Sequence, residues 1–531
     1  MVWIKGSAHP DTSNVSGRAY VQVFGLPICV TFTMKRRTRR VLAIVAIGFL
    51  LVAVGALARP IIHLIYTASR DVRGPESLPP GYVDDASRLN RTKVAEVWKV
   101  PVDSQDPERQ LAELLRRAQA SGLRVSVAGA RHSMGGHTIY PGGIVIDMTP
   151  WNRMQLDTAR DTLWVQAGAL WKDVLRYLDE HGRSVAVMQS NNSFTVGGSI
   201  SVNCHGWQFD RPPIASTVQS FRLMQADGTI VHCSRTENPE LFSLALGGYG
   251  LFGIILDVEL RVVPNERYRL EQYIVPIDDS LATFDSKVAG RSDVQMVYAR
   301  LNIVPDRLFD DVIINVFVRD PHGSIPDLSE PGMAELRRAI FRGSAESDYG
   351  KELRWNAETK LQPFLIGKVF SRNQLLNESV DVFQNRSADS TDILHEYFVP
   401  RHRVAGFVEA MRNILRKHRP NLLNVTVRSV NEDKDTFLRY ADRDMFAFVM
   451  LFVQQKTAEG EQKMETLTRA LIEAALEHEG RYYLPYRLHA TREQFYRAYP
   501  QAREFFALKR KYDPGELFQN QFYVKYGKDQ D

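Results

Sequence analysis

Hydrophobic residues recur at helical spacing near the start of the long central part of the chain. From 107 to 121 the apolar side chains fall on one helical face, and Gly122 follows as a stop signal. Short apolar segments bounded by turn residues then predict strands at three places: 124–128, 142–148 and 162–168. Helix and strand patterns therefore alternate within one stretch of sequence.

A predicted hairpin and two further helices extend this mixed pattern. The Asp227-Gly228 dipeptide accepts the positive φ angles of a tight turn, which predicts that residues 218–225 pair with residues 230–234. Amphipathic segments with start or stop signals predict helices at two more places: 170–181 and 239–246.

The pattern changes beyond Pro264, where the elements become longer. Helices are predicted at 403–418 and 460–479, and strands at 312–318 and 446–453. Because a chain of 531 residues exceeds the size at which one hydrophobic core keeps growing, at least two globular units are expected. We predict an α+β fold with a first domain at 92–265 and a second at 266–504.

An uncharged apolar run from Val41 to Ala58 follows the basic cluster MKRRTRR. Since about 17 to 25 apolar residues span a bilayer, we predict a single transmembrane helix within 41–66, preceded by an N-terminal extension and basic flank at 1–40. The basic cluster places the N-terminus in the cytoplasm and the body on the outer face of the membrane. Residues 67–91, rich in Pro, Gly, Ser and Asp, are predicted to be a linker.

Three alternatives for the N-terminal segment stay open. The basic cluster, the apolar run and the Ala56-Leu57-Ala58 sequence also match a cleaved secretory signal. Arg39 and Arg40 permit a twin-arginine export signal. Residues 1–33 contain no recognisable element, so Met34 is an alternative start of the chain.

Charge and cysteine content exclude several classes of function. The net charge is +5, and five basic residues lie in the cluster before the apolar run, so the remainder is nearly neutral and nucleic acid is not a predicted partner. Three cysteines without CxxC spacing suggest neither a zinc site nor a disulfide framework. His137 and His205 lack further ligands at metal-binding spacing, and no GxSxG motif supports hydrolysis, so no metal is predicted.

Residues 125–138, VSVAGARHSMGGHT, describe a strand that runs into a loop of small residues. Such loops let backbone N–H groups converge on a diphosphate, because no large side chain blocks the approach. His132 is an unusual residue for such a loop, and a surface histidine is the alternative interpretation.

Two more small-residue segments occur at 195–206 and 238–264. Gly248 to Gly253 formally matches the GxGxxG fingerprint of Rossmann domains. A Rossmann loop follows a strand and opens a helix, whereas this segment follows a predicted helix and opens a predicted strand. A different nucleotide-binding fold is therefore expected.

Together, AGARHSMGGHT, PGGIVIDM, TVGG and the 250–255 segment resemble in order and spacing the cofactor loops of the vanillyl-alcohol oxidase and p-cresol methylhydroxylase family of FAD enzymes. The likeness runs from about residue 92 to the C-terminus. It is nearest in pattern to aldonolactone and alditol oxidases, cytokinin dehydrogenase and decaprenylphosphoryl-ribose oxidase.

The resemblance implies an FAD-binding domain of the p-cresol methylhydroxylase type with two subdomains. It also implies a substrate domain with an antiparallel sheet and flanking helices, and FAD bound covalently through His132. The implied cofactor-binding residues lie in the three loops and near them: Gly129, Ala130, Arg131, His132, Ser133, Met134, Gly135, Thr195, Gly197, Gly198, Ser199, Asn203, His205, Gly250, Gly253, Ile254, Ile255 and Asn520.

Two departures from the family narrow the expected substrate. Relatives with a second covalent flavin bond carry a cysteine just before TVGG, and cytokinin dehydrogenases place an aspartate base in the same stretch. Residues 190–194, Ser-Asn-Asn-Ser-Phe, contain neither. The resemblance therefore favours a sugar, polyol or lactone substrate over a cytokinin.

The second domain carries the candidate catalytic residues. HEYFVPRHR at 395–403 resembles the Glu-Tyr-x-x-Pro segment of aldonolactone and alditol oxidases, which implies that Glu396 faces the flavin; a solvated glutamate is the alternative. Arg428 is the nearest candidate cation, with a surface ion pair as the alternative. The tail at 505–531 resembles the family segment that returns to the FAD domain, with three implied contacts: Lys509, Lys511 and Asn520.

The resemblance implies an oxidase or dehydrogenase that acts on the CH–OH group of a small polar substrate and transfers its electrons to O2 or a membrane electron acceptor. Residues 41–58 would contact the lipid bilayer. Two other functions are weighed beside it. A membrane-anchored reductase of a lipid double bond would suit the predicted anchor, and a degenerate flavin fold that only binds a partner conflicts with three intact small-residue loops.

Overall fold

The computed structural model describes residues 4–5, 14–23, 26–71, 78–101, 106–329, 332–361 and 369–528. By their internal contacts, residues up to Ser69 form one unit and residues from Arg70 form a second. Each unit is described by itself below.

The first unit contains one small sheet and one long helix. Its strands β1 (Ile4–Lys5), β2 (Asn14–Val23) and β3 (Leu26–Lys35) pair in the order β1-β2-β3, and α1 spans Arg36–Arg70. Strands β2 and β3 are antiparallel. Sequence patterns assigned no element to residues 1–33, because no Asn-Gly or Asp-Gly signal separates the two strand segments.

The apolar run predicted to be an anchor lies inside α1, and many of its side chains fall outside the described residues. Over the part of the chain that the structure describes, no helix combines the length and apolarity needed to cross a membrane. Basic residues open α1, and Arg59 and Pro60 end the uncharged run within the 35-residue helix. The predicted transmembrane helix is therefore not supported, and neither are the bilayer contact and the membrane topology.

The second unit begins with a mixed region of short elements. Its strands are β4 (Tyr82–Val83), β5 (Thr92–Lys93), β6 (Glu96–Lys99), β7 (Val125–Ala128), β8 (Ile144–Asp147), β9 (Met154–Asp157), β10 (Thr162–Gln166), β11 (Arg183–Val185), β12 (Val218–Met224), β13 (Ile230–Ser234) and β14 (Ile254–Pro264). Its helices are α2 (Pro107–Ala120), α3 (Trp171–Asp179), α4 (Val196–Ser201) and α5 (Pro239–Ala245).

Strands β4 and β5 form a two-stranded antiparallel sheet, and the other strands form two larger sheets with different strand directions. A small parallel sheet has the order β6-β8-β7, and an antiparallel sheet has the order β13-β12-β14-β10-β9 with β11 added to β14. Helix α2 begins at the N-cap Asp106 and buries its predicted apolar face, including Leu111 and Leu115, against the parallel sheet. The predicted hairpin is observed as β12 paired with β13.

The remainder of the unit carries the longer elements. Its strands are β15 (Arg267–Pro276), β16 (Val294–Leu301), β17 (Asp311–Arg319), β18 (Val369–Ser371), β19 (Ser390–Pro400), β20 (Asn421–Val430), β21 (Met445–Gln455) and β22 (Arg481–Tyr482). Its helices are α6 (Ser280–Lys287), α7 (Ala334–Arg342), α8 (Asp348–Asn356), α9 (Arg372–Leu376), α10 (Val404–His418), α11 (Ala458–Glu477), α12 (Arg492–Ala498) and α13 (Ala502–Tyr512).

Strands β15 to β22 form one antiparallel sheet of eight strands in the order β18-β15-β17-β16-β20-β21-β19-β22. Helices α10 and α11 pack on one face, where the rings of Phe407 and Phe448 lie 5.3 Å apart. Because side chains alternate between faces along a strand, alternate residues of β16, β19 and β20 point to the opposite face. That face forms one wall of the cavity described below.

Two further segments complete the first region. The backbone of Val125 on β7 donates to the carbonyl of Leu517 at 2.8 Å and accepts from the N–H of Gln519 at 2.9 Å, so the C-terminal segment extends the parallel sheet. Residues 78–91, which had been assigned to a linker, are packed into the fold. Val83, Asp85 and Ser87 are buried there, and the carboxylate of Asp85 accepts the backbone N–H of Ser87 at 3.0 Å.

Candidate active site

One cavity of about 1540 Å³ lies between the mixed region and the eight-stranded sheet. Three loops form its first wall: residues 129–134, residues 194–199 and the segment from 249 to 255. The opposite wall is the free face of the sheet, which contributes Glu396 and Arg428. The structure thus brings three loops to one cavity, although the first and the third are more than 100 residues apart in sequence.

The first loop follows directly from β7 and bends sharply at Arg131, whose φ is 56°. Asp85 holds the end of this loop, because its carboxylate accepts the backbone N–H of Gly136 at 2.8 Å. The N–H of Ala86 donates to the carbonyl of Arg131 at 3.0 Å. The packed 84–90 segment therefore supports the loop from behind.

The first and second loops approach so closely that only small residues fit between them. A β-carbon on Gly129 would collide with the hydroxyl of Thr195 in the second loop. The second loop packs equally closely on the end of β10, where a β-carbon on Gly197 would lie 2.7 Å from the β-carbon of Ala167. Thr195 is also the N-cap of α4, where its hydroxyl accepts the N–H of Gly198 at 3.3 Å. Backbone rather than side chains therefore faces the cavity here.

The third loop contains two positive backbone angles in succession, with φ of 54° at Tyr249 and 70° at Gly250. Asn520 joins this loop to the first one. Its side-chain amide donates to the carbonyl of His137 and to the carbonyl of Tyr249, both at 2.9 Å. Asn520 is buried and does not line the cavity, so it acts as a brace between two loops and not as the predicted cofactor contact.

Several buried polar atoms of the first loop lack a hydrogen-bond partner among the described residues. They include the hydroxyl of Ser133, two guanidinium nitrogens of Arg131, one of which lies 3.8 Å from the carboxylate of Asp147, and the hydroxyl of Thr138 just after the loop. These groups are donors, and the guanidinium is cationic, so they suit the anionic diphosphate of a dinucleotide. The donor set and the small-residue cradle therefore fit FAD.

His132 lies in the same wall with its ring stacked on Phe194. The two ring centroids are 4.1 Å apart with an interplanar angle of 23°. The Nε2 atom lies 3.2 Å from the carbonyl oxygen of Ser193, and burial lowers the pKa of the imidazole. A neutral, oriented imidazole beside the cavity results.

Glu396 and His205 form a buried pair on the opposite side of the cavity. Oε1 of Glu396 lies 2.5 Å from Nε2 of His205, and Oε2 accepts the hydroxyl of Tyr486 at 3.1 Å. Burial acts to raise the pKa of Glu396, but His205, Arg428 and Tyr486 together outweigh it and the pKa is lowered. The carboxylate therefore stays ionised although it is buried.

Arg428 completes this group of side chains. Its guanidinium donates to the hydroxyl of Ser190 at 2.7 Å and to the carbonyl of His205 at 3.3 Å, while its Nε has no partner among the described residues. Glu396, His205, Arg428 and Tyr486 all line the cavity. The arrangement offers a proton acceptor, a cation and a hydroxyl donor within one polar patch.

Most of the predicted site residues line the cavity, but six lie elsewhere. Lys509 is buried in an ion pair with Asp513 behind the C-terminal segment, so a catalytic contact is not available to it. Asn203 donates to Asp433 at 2.8 Å, and Ile254 faces the core under α2. Gly135 packs against the backbone of Tyr486, and Asn520 is the brace described above. Lys511 pairs with Glu240.

Sequence patterns missed two residues that complete the site, Tyr486 and Asp85. Tyr486 lies in a segment with no recognised motif, and Asp85 lies in a stretch whose Pro and Gly content suggested a linker. The Asp84-Asp85 pair before Ser87 could have indicated a hydrogen-bonded turn.

Comparison with known proteins agrees with this geometry. Residues 106–234 match a family described as an FAD binding domain, and residues 353–526 match D-arabinono-1,4-lactone oxidase. L-gulonolactone oxidase of Mus musculus is 33% identical over 157 residues, which are 29% of this chain and 36% of the relative. That match covers well under half of the relative.

Two further relatives differ in their coverage. Cytokinin dehydrogenase 10 of Oryza sativa subsp. japonica is 28% identical over 455 residues, or 76% of this chain and 80% of the relative. Decaprenylphosphoryl-beta-D-ribose oxidase of Mycolicibacterium smegmatis is 29% identical over 195 residues, 36% of this chain and 42% of the relative.

Residues 106–234, which match an FAD binding domain, contain the first two small-residue loops of the cavity, so the class that fold and sequence both indicate is a flavoprotein. In these two regions, 106–234 and 353–526, the chain is similar to FAD-linked oxidoreductases of the vanillyl-alcohol oxidase and p-cresol methylhydroxylase family.

Proposed function

We propose that this protein uses FAD to oxidise a CH–OH group of a sugar, polyol or aldonolactone-like substrate. The observation that carries the proposal is the ionised Glu396, held by His205 and Tyr486 in the same cavity as the three cofactor loops. The match of residues 353–526 to D-arabinono-1,4-lactone oxidase supports the same substrate class. O2 or another electron acceptor completes the reaction.

When bound, FAD supplies a hydride acceptor for the carbon that is oxidised. The protein must then remove the hydroxyl proton, and Glu396 is the group suited to accept it because its carboxylate is ionised and lies inside the cavity. Arg428 orients the substrate oxygen through its free Nε, and Tyr486 and His205 fix the direction of the carboxylate.

The first wall would hold the cofactor. Arg131, Ser133 and Thr138 supply donors for the diphosphate, and the small residues at 129 and 197 admit it close to the backbone. We further propose that His132 binds the flavin covalently, since its imidazole lines the cavity, is half-buried and neutral, and is held by stacking on Phe194.

Purified protein tests the function directly. Aldonolactones and polyols are added under anaerobic conditions, where loss of flavin absorbance reports oxidation of the substrate without any electron acceptor. Release of peroxide in air then tests whether O2 is the electron acceptor. We expect D-arabinono-1,4-lactone or one of the polyols to bleach the flavin. The proposal would be refuted if neither the lactones nor the polyols bleached the flavin of flavin-loaded protein.

Acid precipitation tests the covalent bond separately. Wild-type protein should give a yellow pellet, and His132→Ala should release the colour into the supernatant. His181→Ala, at an exposed histidine in the turn just after α3, is the matched control and should keep its pellet yellow. A yellow pellet from His132→Ala would show that His132 is not the attachment site.

A further inference from the structure

Met134 ends the first loop, and its side chain reaches the sheet on the opposite side of the cavity. Its sulfur accepts the backbone N–H of Leu394 on β19 at 3.4 Å. Its backbone is held on both sides, because its N–H donates to the carbonyl of Pro485 at 2.8 Å and its carbonyl accepts the side-chain amide of Asn90 at 3.0 Å. Met134 therefore links the first loop directly to the sheet.

The N–H that this sulfur accepts lies close to the proposed proton acceptor. The carbonyl of Glu396 accepts the N–H of Tyr483 at 2.9 Å, on the edge of β19 where β22 also pairs. Because backbone groups alternate along a strand, Leu394 directs its N–H to the same edge. Two residues of a strand span about 7 Å, so the sulfur of Met134 contacts β19 one side-chain spacing away from Glu396.

The side chain of Met134 is shielded from bulk solvent but open to the cavity. Met134 is 7% exposed and contributes to the cavity lining, two residues after His132. Two other methionines in this lining differ from it, since Met148 packs in the apolar core of the parallel sheet and Met333 is 73% exposed. An oxidant formed in the cavity can therefore reach the sulfur of Met134 without passing through solvent.

We propose that hydrogen peroxide formed by this enzyme oxidises Met134 to the sulfoxide and thereby slows turnover. The inference rests on the proposed function with O2 as the electron acceptor, because O2 that takes up the two electrons removed from the substrate leaves as hydrogen peroxide. The sulfur then bonds to one peroxide oxygen, the O–O bond breaks, and the other oxygen takes up the proton of the first and leaves as water. The sulfur loses two electrons, and the peroxide gains them.

The sulfoxide disturbs the contact between the first loop and the sheet. Oxidation converts an apolar thioether into a polar group with an additional oxygen. The sulfur lies only 3.4 Å from the nitrogen of Leu394, so this oxygen either pushes the first loop away from β19 or projects into the cavity. Since displacing reacting groups by about 1 Å can cost about 10²-fold in rate, we expect kcat/KM to fall about tenfold or more.

Peptide mass spectrometry of flavin-loaded protein tests the inference. The protein turns over the best substrate of the screen in air, with catalase present to remove peroxide that has escaped into solvent. We expect sulfoxide at Met134 to increase in step with the loss of rate. Met464 of α11 should stay unmodified, because it is similarly buried, at 5% exposure, but does not line the cavity. Anaerobic turnover with an artificial electron acceptor should leave Met134 unmodified as well.

Substitutions of Met134 connect the modification to the loss of rate. Met134→Leu removes the reactive sulfur, so this variant should keep its own initial rate through the same number of turnovers. Met464→Leu is the matched control and should slow as the wild type does. Met134→Gln places a permanent polar group at the position of the sulfoxide, so it should begin with a kcat/KM near that of the oxidised wild type. It serves as the second variant if Met134→Leu does not bind flavin.

Three results would overturn the inference: peroxide release with Met134 intact, equal oxidation of Met134 and Met464, or a Met134→Leu variant that slows like the wild type. Anaerobic bleaching of the flavin by substrate, with no sulfoxide at Met134 in air, would overturn the inference and leave the proposed function standing. If no substrate bleached the flavin, the proposed function would fail, and hydrogen peroxide added to the protein would decide the inference. Preferential oxidation of Met134 over Met464 would then retain the peroxide-sensitive site, and an intact Met134 would remove it.

Discussion

The two walls of the cavity are built by different means. The wall of three loops presents backbone at Gly129 and Gly197, where β-carbons would meet neighbouring atoms, beside a few larger side chains such as His132. The sheet wall presents long polar and aromatic side chains at alternate positions, such as Glu396, Arg428 and Tyr298. A cradle of backbone suits a constant cofactor, and a wall of side chains can be changed one residue at a time to suit a substrate.

This difference predicts different consequences of mutation on the two sides. A change in the loop wall alters the backbone spacing, so it should affect cofactor binding and stability together. A change in the sheet wall alters one functional group on a rigid strand, so it should affect turnover while the flavin stays bound. The three substitutions that follow test this distinction, beginning with the largest expected effect.

Glu396→Gln should reduce kcat by about 10²- to 10⁴-fold, because it removes the proton acceptor and keeps the side-chain shape. Flavin content, measured by the ratio of visible to ultraviolet absorbance, should stay at the wild-type value. Steady-state oxidation of the best substrate from the screen measures the loss.

Glu409→Gln on α10 is the matched control, since Glu409 is exposed and pairs only with neighbouring side chains on its helix. It should retain wild-type kcat. If Glu396→Gln kept wild-type kcat or lost its flavin, the sheet wall would not be the catalytic side of the cavity.

The loop wall could be predicted from sequence because its requirements are local. Small residues in the first loop follow a strand within a few positions, and Gly250 and Gly253 precede β14 in the same way. The order of these segments also predicted the mixed α and β architecture. Steric requirements between residues that are close in sequence can therefore be recognised from the sequence itself.

The sheet wall was less accessible to sequence reasoning, because its groups meet only through strand register. Tyr486 reaches Glu396 from 90 positions away, and nothing near Tyr486 in sequence indicates that contact. Lys509 illustrates the converse, since proximity to the C-terminal motif suggested a contact that its ion pair with Asp513 prevents. Likewise, Asp85 supports the first loop from a stretch whose composition resembles a linker.

Gly129→Ala should have the second-largest effect, through the loop wall. The added methyl group collides with the Thr195 hydroxyl, so the first two loops must separate. Overpacking of this kind costs about 1 to 3 kcal/mol, and we expect a lower melting temperature together with a lower flavin content.

Gly515→Ala offers a matched control, because a β-carbon there has nothing within 4 Å. Its melting temperature and flavin content should stay close to wild type. Should Gly129→Ala bind flavin normally and lose only kcat, the division between a cofactor wall and a substrate wall would fail.

Tyr486→Phe should have the smallest effect, seen mainly in the pH dependence. In the wild type the lowered pKa of Glu396 keeps the base ionised, so kcat/KM persists as the pH falls and is lost only when the pH passes through that pKa. The Tyr486 hydroxyl is one of the groups that lower this pKa, and burial opposes them. Removing the hydroxyl should therefore raise the pKa and move the acid limb of kcat/KM to higher pH.

The pH profile of Tyr486→Phe distinguishes this electrostatic role from a packing role. A packing role would change kcat/KM by the same factor at every pH, because the ring remains in place and the charge balance of Glu396 would be unaltered. An acid limb that stays fixed, or moves to lower pH, would show that Tyr486 does not tune the carboxylate. A shift of the acid limb to higher pH with unchanged flavin content would show that Tyr486 lowers the pKa of Glu396 without affecting cofactor binding by the loop wall.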